Sequence, residues 1–222
     1  MPLSTVLGAQ SLVQPAVCTT ATRPASPYTG QAIYDTTLSQ VLVYNGTAFT
    51  SVSGLVYLTG GTFTTASAVN LAANTFTATY TNYQININLT ANTVDANPLN
   101  WRGRVAGTDT TTAAYAFALR GPRFDTGADT SGGFGNSQTA ARFTLMQSPF
   151  ETGVVSATIF GPQLASATSY VVDSTGRGVG DPDAALSGSG YFDGSTQFDA
   201  LSFYPASGTI SGSYQVYGYA IA

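Results

Sequence analysis

Neither histidine nor lysine occurs in this chain, and cysteine occurs once, as Cys18. Each absence removes chemistry. A general base tuned near neutral pH is most often histidine, Schiff bases and P-loops require lysine, and structural zinc needs a set of cysteine and histidine ligands. A lone cysteine closes no intrachain disulfide, so robustness must come from packing. Charge is also scarce, at 8% of residues against roughly a quarter in an ordinary soluble domain. Arg102, Arg104, Arg120, Arg123, Arg142 and Arg177 are scattered among apolar runs. They read as ion pairs and strand-edge charges and form no basic stripe that could track a nucleic acid. No stretch approaches the roughly 18 apolar residues of a membrane-crossing helix, and Met1 to Leu7 lack the basic and apolar regions of a signal peptide. The composition predicts a soluble product made without secretion, with no nucleic-acid or membrane partner and no catalytic residue, metal or cofactor.

What the chain does have is apolar substance: 43% of its 222 residues are hydrophobic and 12% aromatic, far above the composition of a disordered polymer. One main core fits this length, with a short extra segment at one end. Monomers usually stay soluble through mixed surface charge, so a polar but uncharged surface predicts burial of flanks in an oligomer.

Residues 1–30 carry Pro2, Pro15, Pro24 and Pro27 with little periodicity, which predicts an extended arm that anchors the chain on a neighbouring subunit. Residues 31–53 follow as a small meander, with strands expected at 31–34, 41–44 and 47–50. Asn45-Gly46 separates the last two as a two-residue hairpin signal, since both residues tolerate the positive φ of a type I′ turn.

Alternation of period two dominates residues 54–222. Tyr83, Ile85, Ile87 and Leu89 point one way while Gln84, Asn86 and Asn88 point the other. Leu99, Trp101, Gly103 and Val105 repeat the pattern, which places Trp101 in the core. Further strands are expected at 55–58, 62–65, 75–80, 113–119, 142–146, 154–160, 168–172, 188–192, 198–204 and 209–219. The Ser- and Gly-rich stretches 126–140 and 173–190 read as long loops. The predicted fold class is all-β: an extended arm and small meander, then an antiparallel β-sandwich of jelly-roll type built from about ten strands. An immunoglobulin topology competes, but its Cys…Trp…Cys spacing is absent.

The run Arg23-Pro24-Ala25-Ser26-Pro27-Tyr28-Thr29-Gly30-Gln31-Ala32-Ile33-Tyr34-Asp35-Thr36, with Val43-Tyr44-Asn45-Gly46 after it, resembles a motif of tailed-bacteriophage structural proteins, RPxSPxxGQxIYxT…VYNGxxW. Phe49 stands where tryptophan is commoner. The segments Gly54 to Tyr57, Phe76 to Tyr83, Arg102 to Asp109, Phe203 to Gly212 and Val216 to Gly218 are similar to a phage β-sandwich domain. The resemblance implies a virion component, a capsid decoration or cement protein or a short head, neck or tail fibre. It also implies a homotrimer, and capsid or tail proteins as partners.

The remaining chemistry is thin. Glycoside hydrolysis needs two carboxylates, yet Glu151 is the sole glutamate and Asp125, Asp129, Asp181, Asp183 and Asp193 sit beside Gly, Pro or Ser, where turns explain them. Calcium could be offered oxygens by Asp181-Pro182-Asp183 or Asp193-Gly194-Ser195, but EF-hand spacing is missing. Gly176-Arg177-Gly178-Val179-Gly180 matches no nucleotide fingerprint and reads as a flexible turn. The sequons at Asn45 and Asn88 carry no meaning without secretion. Two functions compete: a non-enzymatic virion structural protein, and a receptor-binding module that recognises host glycans through 126–140 and 173–190, with Tyr and Trp stacking on sugar rings.

Overall fold

The computed structural model describes residues 15–51, 54–94, 97–146, 150–178 and 184–219. The chain divides between Gly54 and Leu55 into two compact units.

The first unit holds β1 (Ala16–Cys18), β2 (Ala32–Asp35), β3 (Gln40–Tyr44) and β4 (Phe49–Ser51), hydrogen-bonded in that order. β1 corrects the reading of residues 1–30 as an arm. It pairs in parallel with β2, and Thr20–Thr22 forms a 3-10 turn behind it; residues 1–14 lie outside the described part. The cause of this order is Asp35, which is inaccessible to solvent. Its carboxylate takes hydrogen bonds from Arg23 at 2.8 Å and Thr20 at 3.0 Å, and from the backbone N–H groups of Thr37 and Leu38. Burial pushes the acid up, and these donors outweigh it, so the carboxyl sits below its ordinary range. Among the described residues of this unit, Ile33 and Leu42 are the buried hydrophobics.

The hairpin lies where Asn45-Gly46 predicted it, but its loop has four residues, Asn45 to Ala48. Asn45 Oδ1 accepts the backbone N–H groups of Thr47 and Ala48, both at 2.9 Å. That side-chain bridge stabilises a wider turn than type I′, and only Gly46 takes a positive φ, +103°.

The second unit contains β5 (Leu55–Ala66), β6 (Val69–Asn70), β7 (Asn82–Asn92), β8 (Asn97–Val105), β9 (Thr108–Asp109), β10 (Tyr115–Pro122), β11 (Asp129–Gln138), β12 (Ala141–Met146), β13 (Phe150–Phe160), β14 (Thr168–Gly178), β15 (Ala184–Phe192), β16 (Ala200–Pro205) and β17 (Ile210–Tyr219). An antiparallel sheet of eight strands runs β11-β10-β15-β14-β13-β7-β17-β5. A five-stranded sheet runs β12-β8-β16-β6, with β9 on β8. The fold is an all-β sandwich, and no α-helix occurs among the described residues.

One core lies between the sheets. Its centre is Trp101 on β8, stacked on Phe143 of β12 at 5.6 Å and met edge-on by Tyr115 of β10 and Tyr170 of β14. The last two tyrosines belong to the opposite sheet, and each carries its hydroxyl across the core. Tyr170 donates to the Arg142 carbonyl at 2.7 Å, and Tyr115 accepts the Gly103 N–H at 3.0 Å. The buried hydroxyls of these two tyrosines are thus paired across the layers.

Several strand expectations need correction. Segments 55–58 and 62–65 are one continuous strand, β5. Residues 75–80 are turns, whose Phe76 is buried and packs on Tyr83 at 4.4 Å; here aromatic spacing imitates a strand. The supposed loops 126–140 and 173–190 are largely strand, supplying β11, the end of β14 and most of β15. The second unit therefore has thirteen described strands. The error has a physical source, because glycine in these stretches marks close packing. A Cβ on Gly188 would stand 2.2 Å from the Ala118 carbonyl oxygen, and one on Gly133 would stand 2.0 Å from an Arg142 nitrogen. Arg142 reaches from β12 through the space left at Gly133, donates to the Gly132 carbonyl at 2.8 Å and lies over the Phe117 ring.

Burial holds the hydroxyls of Tyr83, Tyr115, Tyr170 and Tyr204 protonated beyond the usual phenol range. Unfolded tyrosine ionises near 10. Above that pH the folded chain binds more protons than the unfolded one, so stability present below pH 10 is lost as pH rises. The slope is about 1.4 kcal/mol per pH unit for each proton retained. Without lysine or histidine, tyrosine dominates the alkaline titration. Tyrosinate absorbance should rise in two classes, with the buried class appearing only as circular dichroism shows unfolding. A single ordinary titration of all 13 tyrosines in folded protein would contradict this.

Candidate functional site

The charged side chains are largely consumed by the fold. Arg23 pairs with Asp35, Arg104 with Asp109, Arg120 with Asp129 and Arg123 with Asp125. The Arg123 guanidinium grips Asp125 with two hydrogen bonds, and holds that carboxyl below its ordinary range. Arg102 donates to the Thr139 carbonyl and lies over the Tyr204 ring, and Arg142 takes the interior position described above. Asp199 receives the Ala106 N–H, and Asp109 receives the Ser202 hydroxyl.

The sequence candidates do not converge. Asp125 and Asp129 lie in or beside the β10–β11 turn, and Asp193 lies in the turn after β15, while Glu151 belongs to β13. Asp181 and Asp183 lie outside the described residues. Among the described residues no three His, Cys, Asp or Glu side chains gather as a metal site. Gly176, Arg177 and Gly178 are not a flexible turn. They are strand residues of β14 paired with β13, and Val179 and Gly180 lie outside the described part. Trp101 is in the core, 1% exposed, as the alternation predicted.

The surface with most to offer is the outward face of the eight-stranded sheet. Antiparallel register brings one row of residues side by side across all its strands: Gly60, Gln215, Asn86, Ser156, Asp173, Ser187, Arg120 and Ser131. The adjacent row on one half reads Tyr57, Tyr217, Gln84 and Thr158. On the other side stand Ser213, Asn88 and Val154. Polar groups here order one another. Gln84 donates to Ser156 at 2.7 Å and to Asn86 at 3.1 Å, while its carbonyl accepts the hydroxyls of Thr158 and Tyr219. Tyr217 donates to Gln215 Oε1 at 2.9 Å. Asn86, Asn88, Val154, Ser156, Ser213 and Gln215 surround a depression of about 380 Å³. A second groove, about 330 Å³, lies between β10 and β13 beside Arg120, Ser156, Asp173 and Ser187.

Sequence reasoning put Gln84, Asn86 and Asn88 on this face through alternation alone. It missed Gln215 and Tyr57, because only the register of β17 between β7 and β5 makes them neighbours. An all-β sandwich presenting an ordered, largely polar face is the class of protein that the fold and this surface define. Comparison goes no further: no protein-family model matches the chain, and neither curated proteins nor solved structures yield a match.

Proposed function

We propose that this chain is a non-enzymatic structural subunit of a virion, as the resemblance of its N-terminal segment to tailed-bacteriophage proteins implies. Supporting the reading above all is the use made of its ionisable groups. Arginines and aspartates pair within turns, between strands and around Asp35, so most of the little charge the chain has is already matched within the fold. A subunit whose charges are matched internally is suited to lasting contact with others, where unpaired charge would carry a desolvation penalty.

The motif that carries the resemblance has a structural office in the first unit. Arg23 binds Asp35, Gly30 takes φ +87° and donates its N–H to the Tyr44 carbonyl at 2.8 Å, and the Gln31 N–H bonds the Tyr28 carbonyl. In this reading the first unit, together with the residues before it, is the virion anchor, and the sandwich, an elaborated jelly roll, is the exposed body. The subunit sits on the capsid as a decoration or cement protein, or forms a short head, neck or tail fibre, and it assembles as a homotrimer.

The test is particle binding. Full-length protein should co-sediment with particles lacking it and show by light scattering a mass three times the 22.9 kDa chain. A fragment starting at Leu55 should remain folded and fail to co-sediment. Full occupancy by that fragment would place the contact on the sandwich, and a full-length protein that never binds particles would overturn the virion reading.

A further inference from the structure

We propose that the outward face around Tyr57, Asn86 and Gln215 is a binding site for an uncharged saccharide. The inference goes beyond the structural role and does not depend on it. It also moves glycan recognition away from 126–140 and 173–190, the stretches expected to carry it as loops.

Three observations carry the assignment. The first is an aromatic platform. Tyr57 is 56% exposed, and its side chain runs along β5 toward Gly60, where its hydroxyl lies 3.0 Å from the position a Cβ would take. The hydroxyl end of the side chain rests in space that a side chain at residue 60 would fill. Tyr217 braces the ring edge-on at 5.7 Å. A ring held this way, with surface open to solvent, can stack on the C–H face of a pyranose.

The second is a set of amides with one end already fixed. Gln215 uses its Oε1 on Tyr217, and Asn86 uses its Oδ1 on Gln84. Their NH₂ groups are therefore turned to the other side, on cross-strand neighbours in a single row. The hydroxyl of Ser156 and the side chains of Ser213 and Asn88 stand beside them. Adjacent oriented donors and hydroxyls match the vicinal hydroxyls of a sugar. Their internal bonds also lower the ordering entropy that binding would otherwise cost.

The third is neutrality. The outward residues of β5, β17, β7 and β13 in these rows are Tyr57, Tyr217, Gln84, Thr158, Gly60, Gln215, Asn86, Ser156, Ser213, Asn88 and Val154. None bears a charge; the first charged neighbour is Asp173, beyond Ser156. An anionic glycan or a charged peptide finds no counter-ion here, while a neutral saccharide needs none. The depression, about 380 Å³, lies within the size range of small-ligand sites.

The experiment titrates the intact protein with neutral hexaoses of glucose, mannose and galactose, and with a heparin hexasaccharide, by calorimetry and saturation-transfer NMR. At least one neutral probe should bind saturably with a dissociation constant tighter than about 1 mM, and heparin should not. Tyr57→Ala and Asn86→Ala should each weaken binding about tenfold, while Tyr57→Phe should retain it. Thermal midpoints recorded alongside report whether each variant is folded, and Asn86→Ala and Gln215→Ala serve if Tyr57→Ala unfolds. No saturable neutral probe at several millimolar, preference for heparin, or unchanged affinity in the folded variants would overturn the proposal. None of these results alters co-sedimentation, so the two readings fail separately.

Discussion

Trp101→Ala should destabilise the sandwich by about 3–5 kcal/mol, the range for removing a large aromatic from a packed core. The expectation rests on position as much as size. Trp101 is 1% exposed and touches Phe143 in its own sheet, at an interplanar angle of 15°, and Tyr115 and Tyr170 in the other. Truncation would leave a void at the seam where both layers meet, among rings whose hydroxyls are already committed to Arg142 and to Gly103 and Thr110. Those anchored tyrosines cannot swing in to fill it, so little relaxation is available. Urea unfolding followed by circular dichroism measures the loss, since the chain's single tryptophan cannot report on its own removal. A loss below about 1 kcal/mol would mean that the two sheets are not held together at this point.

The second large effect concerns a residue with no side chain. Gly190→Ala should cost about 3 kcal/mol, whereas Ser189→Ala, one residue away, should stay within about 0.5 kcal/mol. A Cβ at Gly190 would stand 2.2 Å from the Ala116 carbonyl oxygen and 2.5 Å from the Tyr170 ring. The first obstacle is backbone and the second is a ring wedged against Trp101, so neither can give way cheaply. Ser189 points to solvent on the opposite face. Denaturation midpoints of the two variants provide the comparison, and equal shifts would show that β15 tolerates displacement from β10.

The contrast between these neighbours also shows where the sequence was legible. Alternation revealed β7, β8 and β17 because a half-buried strand writes its two faces into every second residue, as Tyr83, Ile85, Ile87 and Leu89 do. It failed on β11, whose inward positions include Gly132, and found only the 188–192 end of β15, where Gly188 and Gly190 face inward. There the core is filled by Tyr170, Leu119 and Leu186 reaching over from neighbouring strands, so the pattern of burial is carried by residues elsewhere in the chain. Asp35 escaped notice for a related reason: its donors Arg23 and Thr20 lie 12 and 15 residues away, and nothing local distinguishes it from an aspartate in a turn. The outward face was half visible. Asn86 could be placed on it from β7 alone, but its partnership with Gln215 depends on register between residues 129 positions apart, which only the folded sheet supplies.

The same placement of charge has a meaning for digestion. A trypsin-like protease can cut this chain only after its seven arginines. Arg102, Arg104, Arg120, Arg142 and Arg177 lie within strands, Arg123 is bridged to Ala184 and clasped to Asp125, and Arg23 is fastened to Asp35 and precedes a proline. Entry into a protease cleft requires several residues of unpaired, extended backbone, which these positions lend only when the surrounding fold opens. Arginines that sit in strands or are fastened in turns thereby keep these cleavage points from such enzymes until the fold opens, without a single disulfide.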